Sequence, residues 1–176
     1  MSNIRPLLLL ICLLPFHYCF SATIYVNISN PTPGTGTSWA TAFTDLNAAL
    51  AAANAGDQVW VAQGTYYPTT TTDRTLTFAI TKAISVYGGF NGTETTLGAR
   101  NWTTNPTILS GDIGVTGDAT DNSYSVVTIT SNFSSATLDG FTVTGGNGNQ
   151  GLPSNTSIVA GNLAGGIAIV AYANQY

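Results

Sequence analysis

Charge is scarce in this chain. Charged residues occupy 7% of its 176 positions, against a typical share of about 25%, so neutral polar groups have to cover most of the surface. Four basic residues stand against eight acidic ones, for a net charge of −4. That balance lacks the cationic footprint that phosphate backbones require, and nucleic acid is excluded as a partner. Histidine occurs once and cysteine twice, and Cys12, His17 and Cys19 all fall within the first 22 residues. Those residues read as a secretory leader: Arg5 supplies the positive start, residues 7–14 the apolar core, and Ser21 with Ala22 the cleavage zone. The apolar run is shorter than the ~20 residues a membrane-spanning helix needs, and Pro15 and His17 close it. A second apolar stretch, 163–173, is also too short to span. The expectation is a leader over 1–22 and an exported chain over 23–176, secreted or held at the cell surface. Removing the leader leaves no thiol and no imidazole. That excludes a disulfide framework, Ser-His-Asp and Cys-His catalysis, and zinc sites of the usual ligand types.

Glycine and β-formers are plentiful. Hydrophobic residues make up 44% of the chain, and a domain of this length buries roughly two-thirds of the surface its unfolded chain exposes. Four stretches, 59–64, 84–89, 108–111 and 138–146, each pair a short apolar or β-branched run with a glycine turn. Gly64, Gly88 and Gly111 lie 24 and 23 residues apart, then Gly145 follows after 34 and Gly165 after 20. Spacing of this kind suits stacked units that bury their apolar faces on one another, with insertions at the corners. The pattern predicts strands over 23–28, 58–62, 77–80, 83–87, 107–109, 125–130, 136–138 and 141–144. Corner insertions are expected over 69–72 and 111–122, and Val126, Val127 and Ile129 need burial on both strand faces or a bulge.

One segment has helical period. Over 43–53, Phe43, Leu46, Ala49, Leu50 and Ala53 share a face, Thr41 or Thr44 can cap the start, Asp45 suits the first turn and Gly56 can end it. A single amphipathic helix ahead of a strand repeat predicts a cap, since the first unit of a stack otherwise shows its apolar cross-section and unpaired edges to water. The expected fold is an all-β solenoid with one N-terminal capping α-helix.

The ordered set GTSWATAFTDLNAAL, DQVWVAQGTYYP, ISVYGGFNGTE, RNW, TILSGD, DNSYSVV and TLDGFTVTGGN, spread over residues 38–147, resembles the opening of secreted right-handed parallel β-helix proteins. These are similar to the pectin-lyase-like superfamily and to polymorphic outer membrane repeat proteins of the chlamydial type. The resemblance implies a right-handed parallel β-helix, and it is specific to fold rather than to a reaction. In such proteins further coils follow the last glycine pair. Gly165, Gly166 and Ile167 look like the start of another coil, but residues 168–176 carry no recognisable closure. The chain therefore reads as a β-helix incomplete at its C-terminus, a truncated product that self-associates through the uncapped coil.

The candidate sites each have a plain structural reading beside the chemical one. Asp112, Asp118 and Asp121, with Asn122, fall in a Gly-rich loop. Oxygen-rich loops of this type bind calcium, which makes these aspartates the metal-site candidates and calcium the one cofactor candidate. Their spacing matches no EF-hand, and Asp, Asn and Gly are equally the ordinary residues of turns. Arg100, beside Asn101 and Trp102, reads as corner packing, with a sugar contact as the alternative and no acid partner nearby in sequence. Asp139, between Leu138 and Gly140, reads as a turn-closing Asx residue. Trp60 and Tyr87 sit inside strands, where packing is the default over lining a sugar groove. No carboxylate pair falls on one strand face as a glycosidase requires, and no residue is assigned a catalytic role. The expectation is a cell-surface scaffold or adhesin-like repeat fragment whose partner is a carbohydrate or a host or cell-surface ligand. The alternative is the N-terminal part of a polysaccharide lyase or glycosidase with its catalytic coils downstream.

Overall fold

A computed structural model of the chain describes residues 21–130, 136–148 and 166–170. Residues 1–20 of the expected leader lie outside them, as do Ile158, Val159 and Leu163 of the expected uncapped coil. The described chain is mostly β, in the order β1 (Thr23–Val26), α1 (Leu46–Ala52), β2 (Gln58–Ala62), β3 (Gly64–Tyr66), β4 (Phe78–Ile80), β5 (Ser85–Phe90), β6 (Thr107–Ser110), β7 (Val127–Thr130), β8 (Thr137–Asp139), β9 (Phe141–Thr144) and β10 (Ile167–Val170). Short 3-10 turns at Trp39–Thr41 and Leu97–Ala99 interrupt the connections.

The strands form three sheets, ordered β1-β2-β5-β8, β3-β6-β9 and β10-β7-β4. Every strand pairing in them is parallel. From β2 onward the chain visits the three sheets in the same order three times, as β2-β3-β4, β5-β6-β7 and β8-β9-β10. The glycine spacing of about 24 does not mark these passes. Register partners Gln58, Ser85 and Thr137 put successive visits to the first sheet 27 and then 52 residues apart (58 to 85, 85 to 137). Gly64 opens β3, a strand that local pattern left unassigned, while Gly88 lies within β5. The slip from Trp60↔Tyr87 to Ala62↔Phe90 puts one extra residue on β5, a bulge at Gly88 and Gly89, where Gly89 adopts φ +92°. The glycine pair expected to close a strand therefore carries the strand onward.

The helix starts three residues later than its periodicity suggests. Phe43 is held by backbone pairing to β1, with Phe43 N donating to Tyr25 O at 2.9 Å and Asn27 N to Phe43 O at 2.7 Å. Asp45, rather than Thr41 or Thr44, is the N-cap, its carboxylate accepting from Asn47 N at 2.8 Å. At the other end Lys82 Nζ donates to Ala51 O at 2.7 Å and Ala53 O at 2.5 Å, satisfying terminal carbonyls with a cation suited to that end of the dipole. The apolar face that periodicity assigns is the buried one: Leu46, Ala49 and Leu50 pack toward β1, β2 and β4.

Alternation then sorts the strand residues into inner and outer sets. Val26, Val59, Val61, Phe78, Val86 and Leu109 are at most 1% exposed and share one core with Leu46 and Leu50. Each such burial contributes about 1.5–3 kcal/mol. On the opposite face of the first sheet, Tyr25, Trp60, Tyr87 and Asp139 stand in register. Trp60 stacks on Phe90 at 4.7 Å and meets Tyr25 edge-on at 5.8 Å. Trp39 covers them, 4.8 Å from Tyr25 and 5.5 Å from Phe90. This is packing, as expected for Trp60. Val126 and Val127 are both buried, and β7 begins only at Val127, which removes the need for a strand buried on both faces there. The expected corner insertions lie between β3 and β4 and between β6 and β7.

Candidate functional site

The aspartate-rich loop follows β6, and each of its carboxylates serves the loop itself. Asp112 accepts from Gly117 N at 3.0 and 3.1 Å. Asp118 accepts from Thr120 Oγ1 at 2.6 Å and Thr120 N at 2.9 Å; the hydroxyl first and the amide second hold its carboxyl below the usual range. Asp121 Oδ2 accepts from Val115 N at 2.7 Å. Among the described residues no three His, Cys, Asp or Glu side chains gather as a metal-holding group. Beside them Asp121 Oδ1, Asn122 Oδ1 and Ser123 Oγ are buried oxygens with no hydrogen-bond partner among the described residues. Asp112 instead lines an open cleft of ≈ 320 Å³ with Tyr67, Thr70 and Thr116, apart from Asp118 and Asp121.

A second constellation is assembled by strand register. Asp139 ends β8 directly across from Tyr87 of β5, and its carboxylate accepts from Arg100 Nη2 at 2.5 Å. Asp139 is thus the acid partner that no neighbour in sequence supplied, and it binds Arg100 rather than closing an Asx turn. The turn belongs to Gly140, at φ +82°. Arg100 reaches back with Nη1 to Gly88 O at 3.3 Å and Asp139 O at 3.4 Å. Its guanidinium lies over both the Tyr87 ring, at 5.0 Å, and the Trp102 ring, at 5.2 Å. The Arg100 side chain is 11% exposed and that of Asp139 51%, so charge is buried on one side of the pair and wet on the other. No local signal could have found this pairing, because the two residues are 39 apart in sequence and only the β5–β8 register joins them.

Asp57, Glu94, Asp73, Arg74 and Tyr66 follow the same pattern. Asp57 accepts from Ala22 N and Asn54 N, each at 2.8 Å. Glu94 accepts from Asn91 N, Gly92 N and Thr93 N, and Asp73 accepts from Thr75. Arg74 donates to Asn122 O at 2.6 Å and Asn147 O at 3.2 Å and lies 4.1 Å over the Tyr124 ring. Tyr66, 2% exposed, donates to Ala62 O at 3.0 Å and accepts from Ile28 N at 3.2 Å. Burial pushes its phenol up to about 12, against a smaller opposing effect of the Ile28 amide. Among the described residues no helix is long and apolar enough to cross a membrane.

Three parallel sheets visited in a fixed order, with one helix over the first strands and polar side chains given over to turns, define a β-rich, parallel-sheet class of protein. The chain belongs to the family described as "Protein of unknown function (DUF1565)", which it matches over residues 29–174. No curated protein and no solved structure matches it.

Proposed function

We propose that this chain is an exported structural module, a right-handed parallel β-helix that displays a binding surface at or outside the cell and does no chemistry of its own. On this reading the three sheets are the three faces of the helix, β2-β3-β4 and its two successors are its coils, and α1 is the cap over the first of them. Membership of a family associated with β-helix proteins supports the architecture. The export step rests on the leader pattern of residues 1–22.

The observation that carries the functional reading is the fate of the carboxylates. All eight acidic residues of the sequence, Asp45, Asp57, Asp73, Glu94, Asp112, Asp118, Asp121 and Asp139, accept a hydrogen bond from nearby backbone or from Arg100. The basic residues Arg74, Lys82 and Arg100 donate to backbone carbonyls. A general acid or base needs a proton-accepting group poised toward substrate with a pKa brought near working pH. In this chain each of these groups already holds a turn, a helix end or a corner. The test is incubation of the purified exported chain with pectic, alginate and neutral polysaccharides, with and without calcium, followed by analysis of chain ends. Unchanged polymers are expected. Reproducible appearance of reducing or unsaturated ends, lost in an Arg100→Ala variant, would overturn the scaffold reading.

A further inference from the structure

Trp102 is the most exposed aromatic among the described residues, at 58%, yet its backbone is firmly held. Asn101 N donates to Gly89 O at 2.7 Å, and Asn105 Nδ2 donates to the same carbonyl at 3.3 Å. Asn101 Oδ1 accepts from Thr103 N and Thr104 N. Gly89, at φ +92°, lets this loop approach, since a Cβ there would sit 2.9 Å from Trp102 N. The Arg100 guanidinium lies over the indole. An indole on a held backbone, kept out of the core, adds little burial to the fold and can receive a ligand with little ordering cost to the loop.

Trp102 lines an open cleft of ≈ 350 Å³, whose other walls include Pro106, Asp139, Phe141 and Thr142. We propose that this cleft is a binding subsite for a neutral sugar ring, stacked on Trp102 and hydrogen-bonded by the half-exposed Asp139 carboxylate and the Thr142 hydroxyl. The inference rests on the scaffold reading and names the partner class for it. The volume lies at the low end of small-molecule sites, about 300–1,000 Å³, and suits a single ring with its neighbours in solvent. The lining selects the chemistry. A wholly apolar ligand would strip water from Asp139 without replacing its hydrogen bonds. An acidic sugar would meet that carboxylate, with the adjacent Arg100 already committed to it. A cation would face Arg100 across the same ring. A neutral pyranose offers an apolar face to the indole and hydroxyls to Asp139 and Thr142.

The test is calorimetric titration of the full exported chain with cellohexaose, maltohexaose, mannohexaose and chitohexaose. Oligogalacturonate serves as the acidic probe and choline as the cationic one. At least one neutral hexasaccharide should bind. Trp102→Ala should weaken that binding about tenfold, and Thr142→Arg, which fills the cleft from the facing wall, should abolish it. Both positions are exposed, so both variants should melt like the parent. The proposal is overturned if no neutral probe binds at millimolar concentration, if Trp102→Ala leaves affinity unchanged, or if oligogalacturonate or choline binds in preference. Chromatography of the sugars after titration separates this from the underlying reading: intact sugars leave the scaffold standing even where binding fails, and shortened sugars overturn the scaffold whatever the affinity.

Discussion

The first two passes through the sheets and the third are written in the same residue types, yet they are buried differently. Val59, Val61, Tyr66, Phe78, Val86 and Leu109 of the first two passes are at most 2% exposed. Leu138, Phe141 and Val143 of the third are only partly buried against that core, and Ile167 is 44% exposed. A strand inside a sheet has a neighbour on each side. The first pass has α1 and β1 before it and the second has passes on both sides, whereas β8 and β9 are edge strands among the described residues. Hydrophobicity decides which side chains face inward, but coverage by the next layer decides how much each contributes to stability.

Removing the cover at the front should have the largest effect. Leu50→Asp places a carboxylate at a site 5% exposed, and the unpaired charge adds to a cavity cost of about 2–5 kcal/mol. Cooperative thermal unfolding should be lost, and wild-type-like melting would show that α1 does not cap the core.

A direct comparison of the two regions uses one residue type. Leu109→Ala, at 1% exposure, should cost about 2–5 kcal/mol. Leu138→Ala, on the partly covered pass, should cost roughly half as much by denaturant titration, because less apolar surface is lost. Equal costs would mean that β8 is as well covered as β6.

The joint between the second and third passes is narrow enough to probe with a methyl group. A Cβ at Gly88 would lie 2.5 Å from Gly140 O, and one at Gly111 2.7 Å from Gly145 O. Gly88→Ala should therefore destabilise by about 1–3 kcal/mol through overpacking against backbone that cannot swing away. Hydrogen exchange should show the loss first in β8 and β9, and unchanged protection there would place the joint elsewhere.

Tyr66 gives the comparison a pH axis. Its folded pKa, raised to about 12 from 10.0, means that the folded state keeps a proton the unfolded chain releases as pH passes its lower value. The stabilising contribution is complete below the unfolded pKa and is lost as pH rises through the folded one. Wild-type stability should fall more steeply than that of Tyr66→Phe in this alkaline window. At neutral pH the variant should be less stable by about 1–3 kcal/mol, because Ala62 O and Ile28 N lose their partner. Parallel alkaline slopes would show the phenol to be wet.

The smallest effect is expected at Asp139→Asn. Asp139 is half in solvent, its Arg100 partner keeps the Gly88 and Asp139 carbonyls and two aromatic rings, and ion pairs with an exposed member contribute about 0–1 kcal/mol. A larger loss would mean that the pair, rather than the glycine joint and the core, holds the third pass in place.

Much of this architecture is legible in the chain. Strand 141–144 matches β9 residue for residue and 58–62 matches β2, because alternation bounded by turn residues is local information. The buried face of α1 was equally plain from its 3.6-residue period. Helix boundaries were not, since Phe43 is withdrawn from the helix by pairing with β1, a contact between segments. The short strand β3 is not legible in the sequence, because Gly64–Tyr66 carries too few residues to show a period. The glycine spacing does not report the period of the passes, because it mixes an opening glycine of β3, a bulge in β5 and the residue after β6.

The candidate sites divide in the same way. The polar loop of Asp112, Asp118 and Asp121 was visible from composition, but composition could not say that each carboxylate turns back on its own loop. Arg100 and Asp139 each stand out singly in the sequence. Their partnership, and the indole fixed beside it, required the β5–β8 register. The sequence by itself determined a charge-poor, β-rich chain with one amphipathic helix and a leader pattern, because those properties are sums over residues or periods along a single segment. Only the tertiary structure decided which strands are neighbours, which apolar residues are covered on both sides, and which charges meet, because each depends on two segments far apart in the chain coming to lie in parallel register.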